Sequence, residues 1–337
     1  MRKHLSYITF VILAVAVSIS SCKKDKEAED GSYMTGYISF YIPNYLIASQ
    51  DLELNATGIT SPESGLTYKW IATGFTPDSL EGQNINVKVP SEHGSYKITV
   101  TVSHPDYTST SSTREIIVID PSNPNSFYGV VNGDTFITDS RDGKEYYYKR
   151  IGDLDWFTSN LKWEGAGKQY DSIRALNEIY GTLYTWNQAT GGVSSQGLGN
   201  GPQGVCPEGW TIPTREDWEN FATAINGTPL SFYNEWDGIG EKAAVQAYLN
   251  GNAIWKYSPD NTKANTTGWN ALPSGNSSNL FKSFANLGTF GFWWSATQKD
   301  EQNGEYRFIH FDNSKFPYSH AGKGFFAASV RCVRKPE

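Results

Sequence analysis

The stretch Gly204-Val-Cys-Pro-Glu-Gly-Trp-Thr-Ile-Pro-Thr-Arg-Glu-Asp-Trp-Glu-Asn-Phe221 decides the fold, read together with Ser329-Val-Arg-Cys-Val-Arg334 near the C-terminus. Pro213 precedes a helix start, Thr214 can cap it, and Asp217 stands at the capping-box position where Glu is usual. Trp218, Phe221, Ala222 and Ile225 follow the i, i+3, i+4, i+7 rule, so the spacing predicts an amphipathic helix over 214–225. That makes Trp218 a core residue. A second helix is expected over 241–249, ended by Asn250-Gly251.

The chain has 337 residues, enough for two domains with real cores. Charged residues make up 19% and aromatics 14%, with 32 Gly, which describes a folded, turn-rich chain of short elements. Arg2, Lys3 and His4 precede an apolar run over 7–19, too short to span a bilayer, which needs about 20 residues. It suits a signal peptide over 1–21. Ile19-Ser-Ser-Cys22 is similar to a bacterial lipobox, in which Cys22 would carry the lipid; the alternative is an ordinary signal peptide with a chance cysteine. Residues 22–34 then form a charged tether from lipidated Cys22, resembling the acidic stretch that sends some Bacteroidetes lipoproteins to the outer face. The expected location is the outer membrane, lipid-anchored and facing the exterior. The net charge of −7, with no basic run, argues against nucleic-acid partners.

Over 35–120 the sequence reads as short strands. Tyr96, Ile98, Val100 and Val102 alternate with Lys97, Thr99, Thr101 and Ser103, and further strand-like runs lie at 37–42, 52–56, 66–72, 85–89 and 113–119. An all-β sandwich is expected, with Trp70 in its core. Thr67-Tyr-Lys-Trp70 and the run from Gly94 resemble bacterial immunoglobulin-like or PKD-type modules. Asp120-Pro-Ser-Asn-Pro-Asn125 marks a linker at 121–126. A second domain follows over 127–337, opening with a hairpin around Asp142-Gly143.

Outside the cytoplasm, the two remaining cysteines, Cys206 and Cys332, are expected to pair. They lie 126 positions apart, a closure worth about 5 kcal/mol at most in the chain-entropy model. The alternative, a reactive or metal-binding pair, has no neighbouring histidine to support it. Ten of the 11 tryptophans fall in this second domain, and most are expected to be core rather than sugar-stacking surfaces.

Asp142-Gly-Lys-Glu-Tyr146, Ile151-Gly-Asp-Leu-Asp-Trp156, Gly181-Thr-Leu-Tyr-Thr-Trp186, Cys206-Pro-Glu-Gly-Trp-Thr-Ile-Pro-Thr214, Gly268-Trp-Asn-Ala-Leu-Pro273, Phe292-Trp-Trp-Ser295 and Ser329-Val-Arg-Cys-Val333 carry a resemblance. They look like the Fibrobacter succinogenes major paralogous domain, a family placed with C-type-lectin-like folds and similar to the formylglycine-generating enzymes. The resemblance implies an α+β domain with two helices, small antiparallel sheets and long loops. Enzymes of that branch need a second cysteine pair or a metal. Here both body cysteines go to the bridge, so no catalytic residue is assigned and the protein is not expected to be an enzyme. The calcium motifs of sugar-binding lectins are absent too. Glu235-Trp-Asp237 and Asp153-Leu-Asp155 could offer oxygens to a structural calcium, but such pairs more often sit in solvated turns, and no cofactor is assigned.

One segment reads as a ligand face. Tyr306, Phe308 and His310 alternate with Arg307, Ile309 and Phe311, and the polar loop Asp312-Asn-Ser-Lys-Phe-Pro-Tyr-Ser-His320 follows. Tyr306, His310, Asp312, Asn313, Tyr318 and His320 are the candidate ligand-binding residues; an ordinary exposed loop is the alternative. The expected function is adhesion or nutrient capture, through a glycan or a surface protein. A structural or pilus-tip component is the alternative, and a metal-dependent enzyme of the formylglycine-generating type comes behind both.

Overall fold

Ile98, Val100 and Val102 point one way from the Gly94–His104 strand and are sealed from water, as their alternation requires. A computed structural model describes residues 32–231 and 235–336. The signal segment, Cys22 and all of the tether before Ser32 lie outside the described residues. The Gly94–His104 strand is central in a six-stranded sheet, between Tyr107–Ile119 and Thr67–Ile71, both antiparallel to it. Two strand pairs, Thr35–Ser39 with Thr57–Ser61 and Asp51–Asn55 with Asn84–Lys88, form separate small sheets. Leu54, Ile85 and Val87 from the latter meet Trp70, Ile98 and Val100 in one core. Trp70 is 1% exposed, and its indole N–H donates to the Gly82 carbonyl at 2.9 Å. This β-rich unit is compatible with the expected sandwich.

The last strand of this unit is nearly twice as long as the strand-like run at 113–119. It starts at Tyr107, and its polar half is held by hydroxyl pairs across to the neighbouring strand: Thr113 with Thr99, Ser111 with Thr101 and Ser109 with Ser103, each at 2.8–2.9 Å. Hydrophobic periodicity cannot report a strand stabilised this way.

The C-terminal unit departs from the expected two-helix α+β fold of the C-type-lectin kind. The described chain is 43% strand and 10% helix, and several small sheets take the place of two dominant helices. Four short helices are described: α1 (Arg174–Tyr180), α2 (Trp186–Thr190), α3 (Arg215–Ala224) and α4 (Ile239–Ala243). The α3 helix matches its sequence signal. Thr214 caps it and Asp217 completes the capping box, while Trp218, Phe221 and Ala222 are buried. The helix expected over 241–249 is corrected. The α4 helix starts earlier, after left-handed Gly238, and stops at Ala243, because Ala244 and Val245 are drawn into bridges with Ala271 and Ala264. Tyr248–Leu249 is instead a strand paired with Phe127–Tyr128.

The Asp142-Gly143 hairpin forms as expected, pairing Phe136–Thr138 with Glu145–Ile151. Cys206 and Cys332 are joined in a disulfide with Cα atoms 5.8 Å apart, and both are fully buried. Trp210 packs with them in one aromatic core, whereas Trp218 belongs to the neighbouring one with Trp156, Phe221 and Trp269. Eight of the ten indoles in this unit are buried, so most are indeed core; Trp163 and Trp236 are the partly exposed pair.

The two units meet closely. Ile119, at the end of the N-terminal sheet, is buried in the core built around Trp218 and Ile254. The Asn250 side chain donates to the Val118 carbonyl at 2.9 Å and accepts from Ser126 Oγ at 2.8 Å, bridging the junction.

Candidate functional site

Strands Phe290–Gln298, Asn303–His310 and Tyr318–Gly322 form an antiparallel block, and its register sorts the candidate residues. Phe290 lies opposite His310, Phe292 opposite Phe308 and Trp294 opposite Tyr306, so these six share one face. Arg307 and Ile309 are buried on the other face, and Glu305 with them. The sequence-derived alternation is correct for this strand.

The first face is an aromatic ladder, half-buried along its outer edge. Phe290 and Phe292 stack at 5.2 Å, His310 lies 4.1 Å from Phe290, and Phe326 stacks on Tyr306 at 5.1 Å. Tyr306, Phe308, Phe290 and Phe326 all pack partly against the core that holds the disulfide. Beyond the strand, the Asp312 carboxylate is hydrogen-bonded to His310 Nδ1 and accepts from Asn313 Nδ2 at 2.9 Å. Tyr306, His310, Asp312 and Asn313 are therefore continuous along one edge of the molecule.

Tyr318 and His320 are not part of that face. Their partners across the ladder are Arg307 and Glu305, so both side chains belong to the opposite side. Tyr318 lies 5.9 Å from each of the Arg215 and Arg307 guanidiniums. Burial, reinforced by Glu305, holds its hydroxyl above the usual phenol range. Exposed His320 meets Lys299 Nζ at 2.9 Å. The six candidates thus split into two groups facing opposite ways, because the 311–317 turn restarts the alternation in a phase that the sequence does not reveal.

Lys263 also belongs to the Asp312 edge. Its amine donates to the carbonyls of Phe311 at 2.8 Å and Asn261 at 3.0 Å, beneath the Asp312 turn. Burial lowers it to about 8, with Asp312 opposing the shift. A lysine in the aperiodic run Asn261-Thr-Lys-Ala-Asn265 gives no local signal of burial.

The carboxylates considered for calcium are each engaged elsewhere. Asp155 pairs with Arg150 at 2.7 Å and Arg334 at 3.3 Å, Asp153 accepts from Asn220, Asp237 from Ser314 and Gly238, and Glu235 lies 3.5 Å from Lys315. Among the described residues no group of three or more His, Cys, Asp or Glu side chains is placed to hold a metal ion. Nor is any described helix long and apolar enough to cross a membrane.

A family model described as the Fibrobacter succinogenes major domain matches residues 150–334, more than half of the chain. Comparison with curated proteins gave no match.

Proposed function

We propose that this chain, which belongs to the Fibrobacter succinogenes major domain family, is a non-enzymatic, lipid-anchored surface protein that binds a glycan through its C-terminal unit. Cys22 would carry the anchor in the outer membrane, and the N-terminal unit, read as an immunoglobulin- or PKD-like spacer, would hold the C-terminal unit away from the bilayer. The observation that carries the reading is the half-buried outer edge of the aromatic ladder at Tyr306, Phe308 and His310, continued by the polar Asp312–Asn313 turn. Flat rings beside short hydrogen-bonding side chains suit the apolar faces and hydroxyl rims of a sugar.

Affinity gels made with a panel of polysaccharides test this directly. Retention by at least one gel is expected, reduced in Tyr306→Ala and Phe308→Ala and unchanged in His320→Ala, which lies on the far side. A chain that no polysaccharide retards is not a glycan binder, and capture of a single envelope protein by cross-linking on intact cells would then favour the structural role. For the anchor, Cys22→Ser should abolish labelling by a radioactive fatty acid and release the protein from membranes.

A further inference from the structure

A cleft of about 450 Å³ opens where the two units meet, and no residue of the aromatic ladder lines it. Tyr45, Ser95 and Ile117 line it from the N-terminal unit, and Tyr180, Asn252 and Leu287 from the C-terminal unit. Its size is that of a small-ligand site. None of the residues lining it is Asp, Glu, Lys, Arg or His.

Apart from Asn250, the polar side chains in this lining are not committed to strong hydrogen bonds within the protein. Tyr180 is 5% exposed, yet among the described residues its hydroxyl has no hydrogen-bond partner. Its titration is raised by burial and then by the neighbouring Tyr45, so it remains a neutral donor. Among the described residues neither the half-buried Tyr45 hydroxyl nor the exposed Ser95 Oγ has a hydrogen-bond partner, and the exposed Asn252 side chain makes only a 3.4 Å contact to the Asn250 carbonyl. Among the described residues none of these four groups is a buried, unpartnered atom: each is open to the cleft, where a ligand can take the place of water.

From this juxtaposition we infer that the inter-unit cleft is a second binding site, for a neutral saccharide of one or two rings. An ionic ligand would be desolvated there with no counter-charge. A wholly apolar ligand would leave four hydroxyl and amide groups unsatisfied. A neutral polyol satisfies them and lays its C–H faces on Ile117 and Leu287. The site is separate from the aromatic ladder and stands or falls independently of it.

Titration calorimetry on the chain without its signal segment tests the inference, with cellobiose, maltose and xylobiose as probes and glucuronate as the charged counterpart. At least one neutral disaccharide should bind saturably, and glucuronate should bind far more weakly. Tyr180→Phe and Ser95→Ala, which remove one hydroxyl from each side of the cleft, should each weaken binding about fivefold to tenfold. Tyr306→Ala should leave it unchanged. Ser95→Ala trims only a hydroxyl, so it keeps the test valid if Tyr180→Phe folds poorly. Failure of all three disaccharides overturns the inference, as does equal binding of glucuronate. Binding that survives both cleft variants but is lost in Tyr306→Ala belongs to the aromatic ladder and overturns it too.

Discussion

Two buried residues explain why the opening and closing sequence signatures look as they do. The Arg331 guanidinium is wholly buried with no carboxylate beside it. Instead it donates to Asn160 Oδ1 at 2.7 Å and to the backbone carbonyls of Phe157, Trp269 and Asn270, while lying 4.3 Å over the Trp269 ring. Asn160 also accepts from Trp293 Nε1 and donates to Tyr180, so one fork-and-amide pair ties four segments together. A lysine cannot supply that fork. Arg331→Lys is therefore expected to cost about 3–5 kcal/mol in urea unfolding, in line with disruption of other buried charged networks. Asp217 makes the opposite kind of contribution. Burial lifts its carboxyl from 3.8 to about 6, although the N–H groups of Thr214 and Gly199 favour the anion. With the folded value raised, its contribution is fully present below about pH 4 and is lost as the pH rises through about 6. The stability difference between the wild type and Asp217→Asn should then fall by up to about 3 kcal/mol between pH 4 and pH 7. A difference that is flat over that range would show that burial does not govern this carboxyl.

At the scale of elements, fit between neighbours decides more than propensity does. Gly304 sits on the Asn303–His310 strand where a Cβ would come within 2.2 Å of Trp186 Cδ1. Trp186 cannot readily yield, being fully buried with its N–H held by the Ser295 carbonyl at 2.8 Å. Gly304→Ala should cost about 1–3 kcal/mol through overpacking, read as a lower Tm without loss of the disulfide. The same contrast explains what was legible in the sequence. The α3 helix carries both its cap and its period within twelve residues, and the 303–310 alternation holds because both faces differ in burial. The α2 helix has its own capping box, Thr185 with Gln188, and a left-handed Gly191 at its end. That signal is local to the sequence and lies inside an aromatic run. The α4 boundary and the side taken by Tyr318 and His320 had no local signal, since partners distant in sequence set both.

For the molecule as a whole, the question is whether the two units unfold together. The core around Trp218 takes in Ile119 fully and Tyr45, Ile47 and Ile117 in part, so apolar packing crosses the junction. The Cys206–Cys332 bridge lies wholly within the C-terminal unit and adds nothing to that coupling. What aligns the junction is Asn250, whose side chain reaches Val118 on one side and Ser126 on the other. Ser126 Oγ in turn accepts from the Asp120 backbone N–H at 2.9 Å, fixing the segment between the units. Asn250 has a φ of 46°, so replacement by alanine would confound lost hydrogen bonds with backbone strain. Asn250→Gly keeps the backbone conformation accessible and removes only the side chain. Two hydrogen bonds, one to a buried carbonyl, set the loss at about 2–3 kcal/mol of coupling. Calorimetry of the wild type should show one cooperative transition, because packing and the Asn250 bridge act together. In Asn250→Gly that endotherm should broaden or divide, with the N-terminal β-rich unit and the disulfide-closed unit melting separately. A variant that still melts as one sharp transition would assign the coupling to the Ile117–Ile119 packing alone, and the cleft between the units would then be held rigid by apolar contacts rather than by this amide.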